Sequence, residues 1–223
     1  GLDYAYLAFE VDNSTLEDAV KGLRALKLVG SNVSMPNKTV VGQYLDELSP
    51  AAKMAGAVNT IVNDNGKLIG HITDGIGYMQ SLKDMSIFNI KDKFWANAEE
   101  TVKKIRENTD CIVNLYDLDD KDKLREEIAD SYLFAQATGV GMKPLEGQTV
   151  VPDETYFRPD LIVTDTVYAP RETETLRLAK KAGCKTMNGL GMMLFQGDAA
   201  FHLWTGKHMP IDHMKEVLDI KYD

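Results

Sequence analysis

The sequence predicts a two-domain α/β fold, and three observations predict it. From Ser86 to Met187, short apolar runs alternate with helical patterns, the signature of a parallel sheet covered by helices. Before that, a capped amphipathic helix, an Asn-Gly hairpin and Pro-marked corners describe a separate mixed unit. The texture changes at Leu82, where a helical pattern meets a strand pattern with only Lys83-Asp84-Met85 between them. A chain of 223 residues is long enough for two cores.

Taken in order, residues 4–11 alternate, with Ala5, Leu7, Phe9 and Val11 on one face, and predict a strand. Ser14-Thr15-Leu16-Glu17 reads as a capping box opening a helix with Leu16, Ala19, Val20 and Leu23 on its apolar stripe. Leu28-Val29 leads into a strand continued by Val33. Pro36 then suits the first position of a helix carrying Lys38, Val41, Tyr44 and Leu45. Ser49-Pro50 starts a short helix ending near Gly56. Val58–Val62 and Leu68–His71 flank Asn65-Gly66, a type I′ hairpin turn. Asp74 is placed to cap a helix over Ile76–Leu82. Strands are expected at Ser86–Asn89, Cys111–Leu115, Tyr132–Ala135, Leu161–Asp165 and Lys185–Met187. Helices are expected at Lys93–Glu107, Lys121–Ala129, Glu172–Lys181 and about Met192–Trp204.

Composition narrows the function. Apolar residues make up 44% and charged residues 26%, ordinary for a globular protein. A net charge of -9 argues against binding a phosphate backbone over a broad surface, so no nucleic-acid partner is expected. No apolar run approaches the ~20 residues of a membrane span, and no signal peptide is read at Gly1-Leu2-Asp3-Tyr4. Cys111 and Cys184 lack CxxC spacing, and the four histidines form no HExxH. The expectation is a reducing cytoplasm, no membrane partner and no protein-built metal site.

Two corners invite chemistry. Lys38 falls in a first helical turn, where the positive end of the macrodipole would lower its pKa. Thr73-Asp74-Gly75-Ile76-Gly77 offers a carboxylate partner. Together they could move a proton to or from a substrate hydroxyl while hydride leaves the same carbon. Taken singly, each residue has a plainer role: a solvated lysine, a helix cap at Asp74, an edge-strand amide at Asn59, a turn hydroxyl at Ser34. Gln196 could be a helix-flank polar residue and Tyr168 a turn tyrosine.

The joint order of these stretches resolves the matter. Asn32-Val33-Ser34-Met35-Pro36-Asn37-Lys38, Gly56-Ala57-Val58-Asn59-Thr60, Thr73-Asp74-Gly75-Ile76-Gly77, Ala137-Thr138-Gly139-Val140-Gly141-Met142, Asp165-Thr166-Val167-Tyr168-Ala169-Pro170 and Gly189-Leu190-Gly191-Met192-Met193-Leu194-Phe195-Gln196 span nearly the whole chain. In that order the sequence resembles the shikimate/quinate 5-dehydrogenase family, most closely its dual-substrate branch.

The resemblance implies an α/β substrate-binding domain over 1–83, completed by helices in 191–223, and a Rossmann-like NAD(P)-binding domain over 84–190. It implies reversible NAD(P)-dependent oxidation of the ring hydroxyl of shikimate or quinate. Lys38 and Asp74 would be the catalytic pair, with Ser34, Asn59, Tyr168 and Gln196 on the substrate, all converging on one cleft. Asn89, Asp92, Thr138, Gly141, Met142 and Gly189 would contact the cofactor. Members preferring NADP usually have arginine where Ile90 stands. Asp92 suits a free 2′-hydroxyl, so NAD is expected, with NADP as the alternative. No residue decides oligomeric state; a homodimer is the candidate.

This sequence departs from the family in places. The family opens with a strand and a Ser-rich loop, and carries a Gly-rich phosphate loop just before the Ser86 strand; neither occurs here, nor does any GxGxxG. Ile72 and Gln136 stand where asparagine is common. An α/β sheet without its first strand should fold poorly. The expectation is therefore a sequence interrupted between Gln80 and Ser86, with a Cα–Cα step there far beyond ~3.8 Å, and with Gly1 not the true start. Two rivals remain. A short-chain dehydrogenase would need Tyr-x-x-x-Lys, which is absent; a cyclitol-acid-binding module without turnover is favoured by the missing loop.

Overall fold

The computed structural model describes residues 3–73 and 84–220. The chain forms two compact units, Gly1–Gly77 with Ala199–Lys207, and Tyr78–Asp198 with His208–Asp223. Asp74, the helix expected over Ile76–Leu82 and the junction at Lys83 lie outside the described residues.

The first unit is built on a four-stranded mixed sheet. β1 (Gly30–Asn32) runs antiparallel to β3 (Thr60–Asp64), and β3 antiparallel to β4 (Lys67–His71). β4 pairs in parallel with the short β2 (Glu47–Leu48). Asn65 (φ 52°) and Gly66 (φ 98°) join β3 to β4, as a type I′ turn requires. Helix α1 (Leu16–Ala25) buries Leu16, Val20 and Leu23 against Val41, Val58, Ile61 and Leu68. Helix α2 (Pro50–Ala55) is capped by Ser49, whose side chain accepts from the Ala52 amide at 3.2 Å. It ends at Gly56 with φ 65°.

Three expectations fail here. Residues 4–10 form no strand: they are exposed, and among the described residues no strand pairs with them. Alternation alone does not make a strand without a neighbour to take its amides. The capping box is also unmade. Thr15 is the N-cap without a side-chain capping bond, and Asp12 Oδ1 instead accepts from the Ser14 and Thr15 amides at 2.9 and 3.1 Å. Glu17 turns outward to Lys21 at 2.7 Å. Lastly, Lys38 sits in a three-residue 3₁₀ turn, Asn37–Thr39, followed by a second, Val41–Tyr44. These short turns carry no long aligned run of peptide dipoles, so the macrodipole argument for Lys38 lapses.

In the second unit every described strand pair is parallel. β5 (Asp84–Asn89) pairs with β6 (Ile112–Asp117) in one sheet. β7 (Leu133–Gln136), β8 (Ile162–Asp165) and β9 (Lys185–Met187) form another, with β8 central. Helix α3 (Trp95–Asn108) links β5 to β6, α4 (Lys121–Asp130) links β6 to β7, and α5 (Glu174–Lys181) links β8 to β9. Met85 and Ile87 of β5 pack with Val102 and Ile105 of α3. Phe88, on the other face, packs against the cluster of Leu124, Ile128, Leu161, Val163 and Leu176, and Phe134 of β7 packs against the same cluster. Helices on both faces of a parallel sheet are the doubly wound arrangement the alternation predicts. Helix α6 (Gly189–Thr205) and α7 (Ile211–Val217) end the chain; α7 is not foreseen by the pattern. Among the described residues no helix is long and apolar enough to cross a membrane.

Candidate active site

In the first unit, backbone bonds zip two of the motifs together. The Val33 amide donates to the Asn59 carbonyl, and the Val58 amide to the Lys38 carbonyl, both at 2.8 Å. The stretch 33–38 therefore runs beside the entry to β3, which puts Ser34, Lys38 and Asn59 at one end of the sheet. Ser34 is exposed and Lys38 half-buried. Asn37 is buried and donates through Nδ2 to the Val11 carbonyl at 2.7 Å, fixing the turn that carries Lys38.

Asn59 is 4% exposed, too buried for an idle amide. Its Oδ1 accepts from the Thr73 amide at 3.0 Å, and its Nδ2 donates to Thr73 Oγ1 at 2.9 Å. Its own amide donates to the His71 carbonyl at 2.9 Å. Asn59 thus holds the residue immediately before Asp74. Burial pushes the pKa of neighbouring His71 down, so its ring stays neutral beside the site. A pocket of about 210 Å³ lies against Lys38, Gly42, Leu48, Ala52 and Val58.

In the second unit, the expected cofactor residues follow the carboxyl ends of parallel strands, where such sheets bind ligands. Asn89 ends β5, and its carbonyl accepts from Leu118 at 2.9 Å. Asp92 is exposed, and its Oδ1 accepts from the Phe94 amide at 2.8 Å. Thr138 follows β7. Gln136, 2% exposed, accepts through Oε1 from the Thr138 amide at 2.6 Å and donates through Nε2 to the Val140 carbonyl at 2.7 Å. Gln136 therefore shapes the 137–141 loop, a role that its reading as a mere departure missed. The signal was a polar residue at the end of a predicted strand. Gly141 has φ 99°, and a Cβ there would come within 2.9 Å of Thr173 Cγ2, so glycine suits it on both counts. Met142 is half-exposed.

After β8, Asp165 is buried and holds the next loop. Its Oδ1 accepts from the Val167 amide at 2.9 Å and its Oδ2 from Thr173 Oγ1 at 2.6 Å. Tyr168, half-exposed, projects from that loop. Gly189 donates from its amide to the Val167 carbonyl at 3.0 Å, and a Cβ there would lie 2.0 Å from Thr166 O. Only glycine lets α6 start this close to the Tyr168 loop. Gln196 lies two turns into α6, half-buried.

The sequence contains no GxGxxG turn of the kind that cradles a dinucleotide's pyrophosphate.

The comparisons with known proteins decide the family. Residues 1–61 match the shikimate dehydrogenase substrate binding domain, and residues 189–218 match the shikimate 5′-dehydrogenase C-terminal domain. The chain is 52% identical over 251 residues to shikimate dehydrogenase (NADP(+)) of Listeria monocytogenes, covering 98% of this chain and 86% of the relative. It belongs to the shikimate dehydrogenase family. The Streptococcus uberis member is 48% identical over 254 residues, with the same coverage. Among solved structures of the family, the Listeria monocytogenes enzyme in complex with shikimate and NAD matches with a TM-score of 0.91 at 51% identity, over 97% of this chain and 86% of that one. Quinate dehydrogenase from Corynebacterium glutamicum in complex with NAD matches at 0.78 and 27% identity, over 92% and 83%. The α/β fold with its substrate-binding and Rossmann-like parts is thus shared with shikimate dehydrogenases.

Proposed function

We propose that the chain is an oxidoreductase that reversibly converts the ring hydroxyl of shikimate to the ketone with a nicotinamide dinucleotide. The observation that carries this reading is the zip between 33–38 and 58–59, which sets Lys38 beside the Asn59 amide that grips Thr73, the neighbour of Asp74. Residues 1–83 with the C-terminal helices would hold the substrate, and residues 84–190 the cofactor.

When bound, the dinucleotide supplies the acceptor for the hydride leaving the carbinol carbon. Lys38, as the amine, takes the proton from the hydroxyl on that same carbon and returns it in the reverse direction; Asp74 receives or steadies that proton at Lys38 Nζ. Ser34, Asn59, Tyr168 and Gln196 would supply donors and acceptors to the substrate hydroxyls and carboxylate. Asn89 and Asp92 would hold the adenosine ribose, and Thr138, Gly141, Met142 and Gly189 the remaining cofactor contacts.

The names of the curated relatives favour NADP, and Lys91 and Lys93 flank Asp92 with charge that suits a 2′-phosphate. Asp92 itself, and the Listeria structure solved with NAD, favour the free hydroxyl. We assign both dinucleotides, with NADP preferred. Quinate is the secondary substrate on this reading.

The test is the absorbance of reduced nicotinamide on mixing the chain with shikimate or quinate and each dinucleotide. Reduction with shikimate is the expected outcome. Calorimetric binding of shikimate with no reduction of either dinucleotide would replace the enzyme by a binding module.

A further inference from the structure

Strand β6 has a free outer edge: among the described residues it pairs only with β5. Beside that edge runs a groove of about 710 Å³, lined by Trp95, Glu99, Lys103 and Arg106 of α3 and by Leu115 of β6. Trp95 Nε1 donates to Glu99 Oε1 at 3.1 Å, which holds that carboxylate on the groove. An edge strand beside an open groove is a template for pairing unless something covers it.

Two hydrogen bonds fix which backbone groups face outward. The Leu118 amide donates to the Asn89 carbonyl of β5 at 2.9 Å, so by alternation residues 112, 114 and 116 also turn toward β5. The Val113 carbonyl accepts from Arg106 Nε at 3.2 Å, so Val113, Leu115 and Asp117 turn to the free edge. The Val113 carbonyl is thus held by Arg106, and the Asp117 carbonyl accepts from the Asp120 amide at 3.1 Å. Among the described residues the Leu115 N–H and C=O carry no such bond, and they stand at the middle of the edge.

An open donor and acceptor on one residue are self-complementary. In an antiparallel ladder two residues directly opposite exchange both bonds. Leu115 facing Leu115 of a second copy therefore satisfies all four groups about a two-fold axis. The same axis sets the helices. Arg106 is level with Val113, and α3 runs back along β6. The two-residue step to Leu115 is ~6.6 Å, or about four helical residues, so Leu115 is level with Val102. A two-fold at that level puts Glu99 of each copy opposite position 105 of the other, between Lys103 and Arg106. All three side chains are exposed and lie on one flank at i, i+4 and i+7. Helix α3 sits over both strands, since Met85, Ile87 and Leu115 pack against Val102 and Ile105. With the two β6 strands ~4.8 Å apart, the two α3 axes come ~10 Å apart, the spacing of packed helices.

We propose that the β6 edge and the α3 flank form a two-fold interface with a second copy of this chain, with Leu115 on the axis and each Glu99 seated between Lys103 and Arg106 of the other copy. The occupant is a second copy rather than an unrelated strand because both the backbone pair and the charge order on this flank complement themselves.

The experiment is sedimentation equilibrium of the whole chain over a range of concentrations, with amide exchange on the same samples. The mass should rise from 24.8 kDa toward twice that value, and exchange should slow in β6 and along α3. Glu99→Lys and Lys103→Glu, both at exposed positions, should each weaken self-association roughly tenfold by placing like charges opposite one another. An equimolar mixture of the two variants restores opposite charges across the axis and should associate again. A chain that stays monomeric throughout, a dimer indifferent to both reversals, a mixture that fails to recover, or slowed exchange outside β6 and α3 would overturn the proposal. None of these readouts uses substrate or dinucleotide, so failure here leaves the enzyme reading untouched.

Discussion

Asn59 grips Thr73 twice, accepting from its amide at 3.0 Å and donating to its hydroxyl at 2.9 Å. The bond pair ties the β3 entry to the residue before Asp74, so the side chain does positional work in addition to any substrate contact. Asn59→Ala removes both side-chain bonds to the half-buried Thr73, and unfolding in urea should show a loss of about 1–3 kcal/mol. If Asn59 also places Asp74, turnover falls with the substitution. A change in KM alone would reduce Asn59 to a substrate ligand.

Lys38→Ala should lower turnover by roughly 10²–10⁴-fold with a much smaller effect on substrate binding. Lys38→Arg should not restore it, because guanidinium stays protonated throughout the working range. The Lys38 carbonyl, which accepts from Val58, is a backbone group and survives both changes, so the fold should hold by circular dichroism. Near-normal turnover in either variant would remove Lys38 from the mechanism.

The turn preference at Asp92 is testable by cofactor kinetics. Asp92→Ser removes a carboxylate that opposes a 2′-phosphate while keeping an oxygen able to accept from the Phe94 amide, now 2.8 Å from Asp92 Oδ1. The ratio of kcat/KM for NADP to that for NAD should rise. An unchanged ratio would place the ribose away from this turn.

Much of this was legible in the chain itself. Every strand from Ser86 to Met187 and the Asn65-Gly66 hairpin carry patterns that a neighbour then satisfies, so those elements appear where expected. Tyr4–Val11 carries an equally clear alternation, but no described strand pairs with it; pairing is a tertiary fact that periodicity does not contain. Lys38 was visible as a cation after a proline, yet its helix is a pair of 3₁₀ turns, because Pro36 marks a start without fixing a length. Among site residues, the motifs named Asn59 and left its grip on Thr73 unseen. Gln136 was noticed only as an odd residue, since a side chain that bonds its own loop leaves no trace in spacing.

Two glycines should respond to alanine with opposite sign. At Gly189 a Cβ would lie 2.0 Å from a backbone oxygen of Thr166, so α6 or the Tyr168 loop must shift, at a cost of about 1–3 kcal/mol. At Gly22, inside α1, nothing lies within 4 Å of the added carbon, and helix propensity alone should stabilise by about 0.5–1 kcal/mol. Urea midpoints of the two variants check both signs at once. Destabilisation by Gly22→Ala would show that α1 is packed more closely there.

The last prediction concerns pH. Burial pushes the Asp165 carboxyl above its ordinary 3.8, against the opposing bonds from Thr173 and the Val167 amide. The folded chain therefore keeps this proton to a higher pH than the unfolded chain does. Between 3.8 and the raised folded value the native state binds more protons, so the slope of unfolding free energy with pH is negative for this group. Its contribution is most favourable below 3.8 and is lost as pH rises through the folded pKa. Asp165→Asn keeps an acceptor for the Val167 amide but has no proton to lose. The variant should therefore lack that falling component, which urea unfolding across the acid range can isolate as the difference between the two chains. If the two slopes coincide, Asp165 ionises as freely in the fold as out of it, and its burial at the end of β8 must be offset by its two donors.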